Sequence, residues 1–167
     1  MTAAAEFSRP VPVDRIGPGG LDLEVAATGA ECAALAARLG IPAVVALSAR
    51  FHLRREAEGR IAARARLNGR LVRECVVSLE PFETPIAEAF ALVFVPAALL
   101  DDAIDVTAPA DDVPYAGGAI DLGEAVAEQV ALSLDPYPRR PDAALPAEEG
   151  AAPESPFAAL AARRPRH

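Results

Sequence analysis

Basic side chains recur at even positions between residues 50 and 70: Arg50, His52, Arg54, Arg60, Arg64, Arg66 and Arg70. The odd positions around them are apolar: Leu47, Ala49, Phe51, Leu53, Ile61, Ala63, Ala65, Leu67 and Leu71, then Cys75, Val77 and Leu79. A period of two places the two sets on opposite faces of β-strands, one buried and one wet. Guanidinium groups match phosphate oxygens in a planar, bidentate fashion. The wet face therefore has the chemistry to follow a nucleic-acid backbone with a salt-dependent affinity. It lacks the aromatic side chains on which sheet-based RNA readers stack bases, so backbone contact with little base selection is expected. A plain solvated face fits the same pattern: all 16 basic residues are arginine, so arginine at any one position says less than usual.

Other residues with chemistry are fewer. Asp101, Asp102, Asp105, Asp111 and Asp112 cluster without the spacing or the turning glycine of a calcium-binding helix–loop–helix site. They read as a solvated acidic loop, as a cover over the arginine face, or as a dock for a basic partner. Phe157 and Leu160, in the apolar island SPFAAL, are a second docking candidate. The histidines are His52 and His167. No nucleophile elbow, phosphate-binding loop or metal-binding pair is present, and no carboxylate is evident beside His52. The expectation is a protein without catalytic activity, cofactor, metal, small-molecule substrate or membrane partner. Two cysteines, Cys32 and Cys75, are too few for a zinc site made of cysteine alone, and both are expected as free thiols. Cys32 reads as a small buried hydrophobe.

The net charge of −8 argues against a nucleic-acid partner, but the charge is divided. Residues 50–73 carry eight arginines against Glu56 and Glu58, whereas Glu74 to Pro138 contains thirteen acidic residues and no basic one. At 167 residues the chain is long enough for one real core, built from Ala, Val and Leu because aromatics are 5% and tryptophan is absent. The N-terminus lacks the apolar run of a secretory signal, and no stretch is apolar enough to span a membrane, so a cytoplasmic protein is expected.

The elements that must hold the arginines follow from the same pattern. Leu47–Leu79 reads as a three-stranded antiparallel meander with reversals at Glu56–Gly59 and Asn68–Gly69. A three-residue loop at the second reversal preserves parity, setting Ala65 opposite Leu71 and Ile61 opposite Cys75. Arg73 is the misfit, on the apolar parity. Before the meander, Glu6–Ile16 is a proline-bearing edge strand, Gly17–Gly20 a turn and Leu21–Ala27 a second strand, the pair forming a hairpin. Thr28–Gly40 is a helix with Thr28 and Glu31 as a capping box and Gly40 as its stop. After the meander come a connector, Glu80–Pro85, and a fourth strand, Ile86–Val95, apolar enough to be covered on both faces. Pro96–Ala119 is an acidic loop. Asp121–Leu134 is a second helix capped by Asp121, and residues 136–167 form a Pro/Ala-rich flexible tail. The fold class is α+β: residues 1–135 make a mainly antiparallel sheet, able to curl toward a small barrel, with two packed helices.

Four stretches, in order, resemble the YceD-like family of large ribosomal RNA subunit accumulation proteins. They are EFSRPVPVDRI, TGAECAALAARLGI, RECVVSLEPFETPI and IDLGEAVAEQVALSLDPYPRRP, and the closing PFAALA is also similar. The resemblance covers roughly residues 6–142. It implies a small bacterial-type cytoplasmic factor that supports accumulation or processing of large-subunit ribosomal RNA and acts on that RNA or its assembly particles, or alternatively an acidic adaptor that docks or shields a basic ribosomal protein during assembly. It implies no catalytic residue. Many members carry Cys-x-x-Cys where this chain has Cys75-Val76-Val77-Ser78, so a metal or redox role for that motif does not carry over.

Overall fold

The computed structural model describes residues 5–99 and 111–144. In chain order these form β1 (Pro10–Pro12), β2 (Leu21–Ala26), α1 (Gly29–Leu39), β3 (Ala43–Arg55), β4 (Ile61–Glu74), β5 (Pro81–Pro96), β6 (Asp111–Tyr115), β7 (Ala119–Asp121) and α2 (Leu122–Ser133). Strands β2-β3-β4-β5-β6 make one open five-stranded sheet, antiparallel except for the parallel β5–β6 pair, and β1 pairs with β7 in a separate ribbon. The α+β class is as expected; the sheet does not close into a barrel.

Parity sets the two faces. Ala49, Phe51, Leu53, Ile61, Ala63, Ala65, Leu67 and Leu71 are buried together with Leu35 of α1 and Val126 and Val130 of α2. Each helix starts where its cap says. Thr28 and Glu31 form the capping box of α1, and Gly40 ends it in the left-handed conformation at φ 65°. At α2, Asp121 Oδ1 accepts the N–H groups of Gly123 (2.9 Å) and Glu124 (3.2 Å) and also that of Arg9 (2.8 Å). One carboxylate thus caps a helix and fastens the N-terminal segment, whose Phe7 is fully buried.

Several expectations are corrected. The chain does not reverse at Asn68–Gly69: β4 runs straight through from Ile61 to Glu74. Ala65 therefore pairs with Phe51 and Phe90 rather than facing Leu71, and Ile61 pairs with Arg55 and Phe94 rather than Cys75. Gly69 serves proximity instead of turning. A Cβ there would lie 2.7 Å from the Ala46 carbonyl oxygen and 3.0 Å from side-chain carbons of Leu47 and Ile86. The first reversal, at Glu56–Gly59, does turn the chain, with Glu58 and Gly59 at positive φ. The real reversal after β4 is Cys75–Glu80, closed by Cys75 N–H to Glu80 O at 2.9 Å and with Leu79 at φ 58°. The expected connector Glu80–Pro85 is, from Pro81, already strand.

The N-terminal hairpin does not form either. Pro10 and Pro12 supply no N–H, and only Pro10–Pro12 is strand, opposite β7 with Val11 across from Ile120. Strand β2 pairs with β3 instead. Strand β5 is not covered on both faces: Ala87, Ala89 and Ala91 are exposed. The stretch read as an acidic loop contributes β6, while residues 100–110 lie outside the described residues. Arg73, the parity misfit, donates from its guanidinium to the Asp135 carbonyl. Residues 136–142 follow the Cys75–Glu80 turn: Val76 N–H donates to Pro138 O at 2.9 Å and Arg140 pairs with Glu80 at 2.5 Å.

Candidate nucleic-acid interface

Full-length pairing of β3 with β4 and of β4 with β5 arranges the outward side chains in rows. One row reads Glu24, Arg50, Arg66, Ala89; the next reads Asp22, His52, Arg64, Ala91. The sheet surface here is a shallow depression of about 860 Å³, lined by these eight residues and by the strand residues between them. Sequence parity thus located Arg50, His52, Arg54, Arg64, Arg66 and Arg70 on one face. Arg60 sits in the turn before β4, with Nη1 3.8 Å from Asp112 Oδ2.

The columns differ in charge. On β2, Asp22 and Glu24 face β3 and offset it: Arg50 Nε donates to Glu24 Oε2 at 2.9 Å, and His52 Nδ1 lies 2.7 Å from Asp22 Oδ1. Arg70 at the far end of β4 is 3.3 Å from Glu83. Among the described residues Arg54, Arg64 and Arg66 have no ion-pair partner. Arg64 and Arg66 stand side by side on β4, and the next column, on β5, is the exposed alanines, which neither shield nor crowd them. The result is a lane with two uncompensated guanidinium groups on one side and small apolar side chains on the other. Such a lane admits an extended anionic chain, because phosphate oxygens reach both arginines without first displacing a carboxylate.

Sequence reasoning missed Asp22, Glu24, Ala89 and Ala91. The polar parity of Leu21–Ala27 held the signal for the first two, but the strand was paired with the wrong neighbour. His52 does have a carboxylate beside it, contrary to the expectation that none was positioned. Of the acidic docking candidates, Asp112 is placed near Arg60 and Asp111 begins β6, whereas Asp101, Asp102, Asp105, Phe157 and Leu160 lie outside the described residues. Among the described residues no group of three or more His, Cys, Asp or Glu side chains is arranged to hold a metal ion. No helix among them is long and apolar enough to cross a membrane.

The Cys75–Glu80 turn is a second polar feature. Cys75 has no exposed surface, and its sulfur accepts the Arg140 N–H at 3.4 Å. That bond, with the Ser78 hydroxyl and the Ser78 and Val77 N–H groups directed at sulfur, lowers the thiol pKa to about 6 against the opposing effect of burial. Ser78 Oγ is buried and forms no hydrogen bond of ordinary geometry among the described residues. Its part is a dipole aimed at sulfur, and the Arg140 N–H is the main donor.

The family model of the large ribosomal RNA subunit accumulation protein YceD matches residues 63–162, more than half of the chain. The chain belongs to the YceD family. No curated protein and no solved structure matches it. The YceD match begins on β4, so it takes in Arg64, Arg66, the alanine column and the Cys75–Glu80 turn. Strands β2 and β3, with Asp22, Glu24, Arg50 and His52, fall before it.

Proposed function

We propose that this YceD-family protein supports accumulation of large-subunit ribosomal RNA in the cytoplasm by binding RNA on the outer face of its sheet, without catalysing a reaction. The observation that carries this reading is the pair Arg64 and Arg66, unpartnered among the described residues and flanked by exposed Ala89 and Ala91. The net charge of −8 repels polyanions from most of the molecule and leaves this lane as the favourable approach. Among the described residues, the depression that holds His52 and Asp22 is lined by no serine, threonine or cysteine nucleophile, which supports a binding role over a catalytic one.

The test is binding of the purified protein to large-subunit ribosomal RNA across a salt series, beside the variant Arg64→Glu/Arg66→Glu. Affinity that falls steeply with salt, and a variant that has lost both the affinity and the slope, is the expected result. A wild type that binds no RNA yet travels with assembling ribosomal particles overturns direct RNA contact in favour of protein docking.

A further inference from the structure

We infer that His52, fixed by Asp22, makes the outer face selective for ribose over deoxyribose by accepting a hydrogen bond from a 2′-hydroxyl. This inference rests on the RNA-binding reading of the same face. Asp22 Oδ1 lies 2.7 Å from His52 Nδ1. An ionised carboxylate only accepts, so Nδ1 carries the hydrogen, and in the neutral ring Nε2 is left with a bare lone pair. Among the described residues Nε2 has no hydrogen-bond partner. The ring is half exposed, at 45%, and lines the same depression as Arg64, its direct neighbour across the β3–β4 pair.

The two neighbours therefore ask for different things. Arg64 offers donors only, which suit a phosphate oxygen; neutral His52 offers an acceptor, which a phosphate oxygen cannot satisfy. A nucleic-acid backbone that puts its phosphate on Arg64 can bring its sugar toward the neighbouring position on β3, which is His52. Of the two sugars only ribose carries a hydroxyl donor at the 2′ position, the group by which proteins tell RNA from DNA. Asp22 acts as a positioning residue, since it sets the tautomer without itself needing to touch the ligand.

The experiment compares oligouridylate, oligodeoxyuridylate and 2′-O-methyl-oligouridylate of equal length at pH 8. The three share bases and phosphates and differ in the 2′ donor. The wild type is expected to favour the ribo-oligomer by roughly 2- to 10-fold, the range of one neutral hydrogen bond. His52→Ala is expected to bring the ratio of ribo to deoxy affinity close to one. Asp22→Ala, which removes an acid from the face, is expected to raise both affinities while shrinking their ratio. Arg64→Ala should weaken all three oligomers alike. Equal binding of ribo and deoxy oligomers by the wild type, or an unchanged ratio in His52→Ala, overturns the inference and leaves RNA binding standing. A wild type that binds none of the three overturns the binding reading itself.

Discussion

Arg9 grips Glu31 with both arms of its guanidinium: Nη1 lies 2.6 Å from Oε1 and Nη2 2.8 Å from Oε2. The same Glu31 carboxylate accepts the Thr28 N–H at 2.7 Å, so the capping box of α1 and the anchorage of the N-terminal segment share one side chain. The Arg9 bonds first, and the Thr28 backbone second, hold the carboxyl at about pH 2, far below its ordinary value of 4.5. Between those two values the unfolded chain takes up a proton that the folded chain refuses, so this part of stability is complete above pH 4.5 and drains away as pH falls toward 2. Glu31→Gln keeps an acceptor for Thr28 but loses the charge. Its melting temperature should be lower at pH 7, and the gap from wild type should close on acidification. Melts from pH 7 to pH 2.5 would show this; a gap that stays constant would refute it.

Two glycines should resist the substitution that usually helps. Gly69→Ala would favour strand, and Gly123→Ala would favour helix by about 1 kcal/mol. Yet a Cβ at Gly123 would lie 2.5 Å from the Phe7 carbonyl oxygen, and one at Gly69 2.7 Å from that of Ala46. Backbone atoms cannot swing aside, so each variant is expected to lose about 1–3 kcal/mol in urea unfolding. A stabilised Gly69→Ala would mean that β3 and β4 do not approach so closely.

The arginines should not count equally. Glu24 already occupies Arg50, whereas Arg66, directly opposite Arg50, has no such partner among the described residues. Arg66→Ala is expected to weaken RNA binding more than Arg50→Ala and to reduce the salt slope by about one unit. Glu24→Gln should strengthen binding. Equal losses at the two arginines would show that Glu24 yields freely on contact.

Cys75 gives a signal at alkaline pH. With its thiol lowered from the ordinary 9.0 to about 6, chiefly by the Arg140 N–H, the unfolded chain binds a proton between those values that the folded chain does not. Stability should therefore rise from pH 6 to pH 9 and level off above, and Cys75→Ala should flatten the rise. Cys32, whose thiol burial pushes upward from 9.0, acts with the opposite sign and only near the top of this window, where the unfolded thiol begins to ionise before the folded one. Urea midpoints of both proteins at pH 6, 7.5 and 9 decide the point; parallel curves would dismiss the sulfur as their source.

Alternation of Phe51, Leu53, Ile61 and Leu67 with arginine was enough to read which face is wet, because a strand offers its side chains only two directions. Both helices were legible from Thr28, Glu31 and Asp121, since a cap is a local hydrogen bond. What stayed hidden was partnership over distance. Asn68–Gly69 carries every local mark of a turn, and only the Ala46 backbone, 23 residues away, explains why glycine is needed in a straight strand. Strand β1 likewise finds its mate in β7 more than a hundred residues on. The candidate lane inherited that blindness: its arginines were visible, but the carboxylates that neutralise some and spare others came from β2, through a pairing that no spacing announces.

The order of columns across the sheet, acid on β2, base on β3 and β4, alanine on β5, has a consequence for how a ligand arrives. Neighbouring strands are about 4.8 Å apart, so the change of sign from β2 to β4 is spread over roughly 10 Å, a little more than a Debye length near 8 Å in physiological salt. The face is thus a sideways ramp of potential instead of a uniform patch. On the proposed reading, a polyanion touching down near β2 would be pushed off and one near β4 would be held. Its lateral position would then be settled during approach, before any side chain had closed on it.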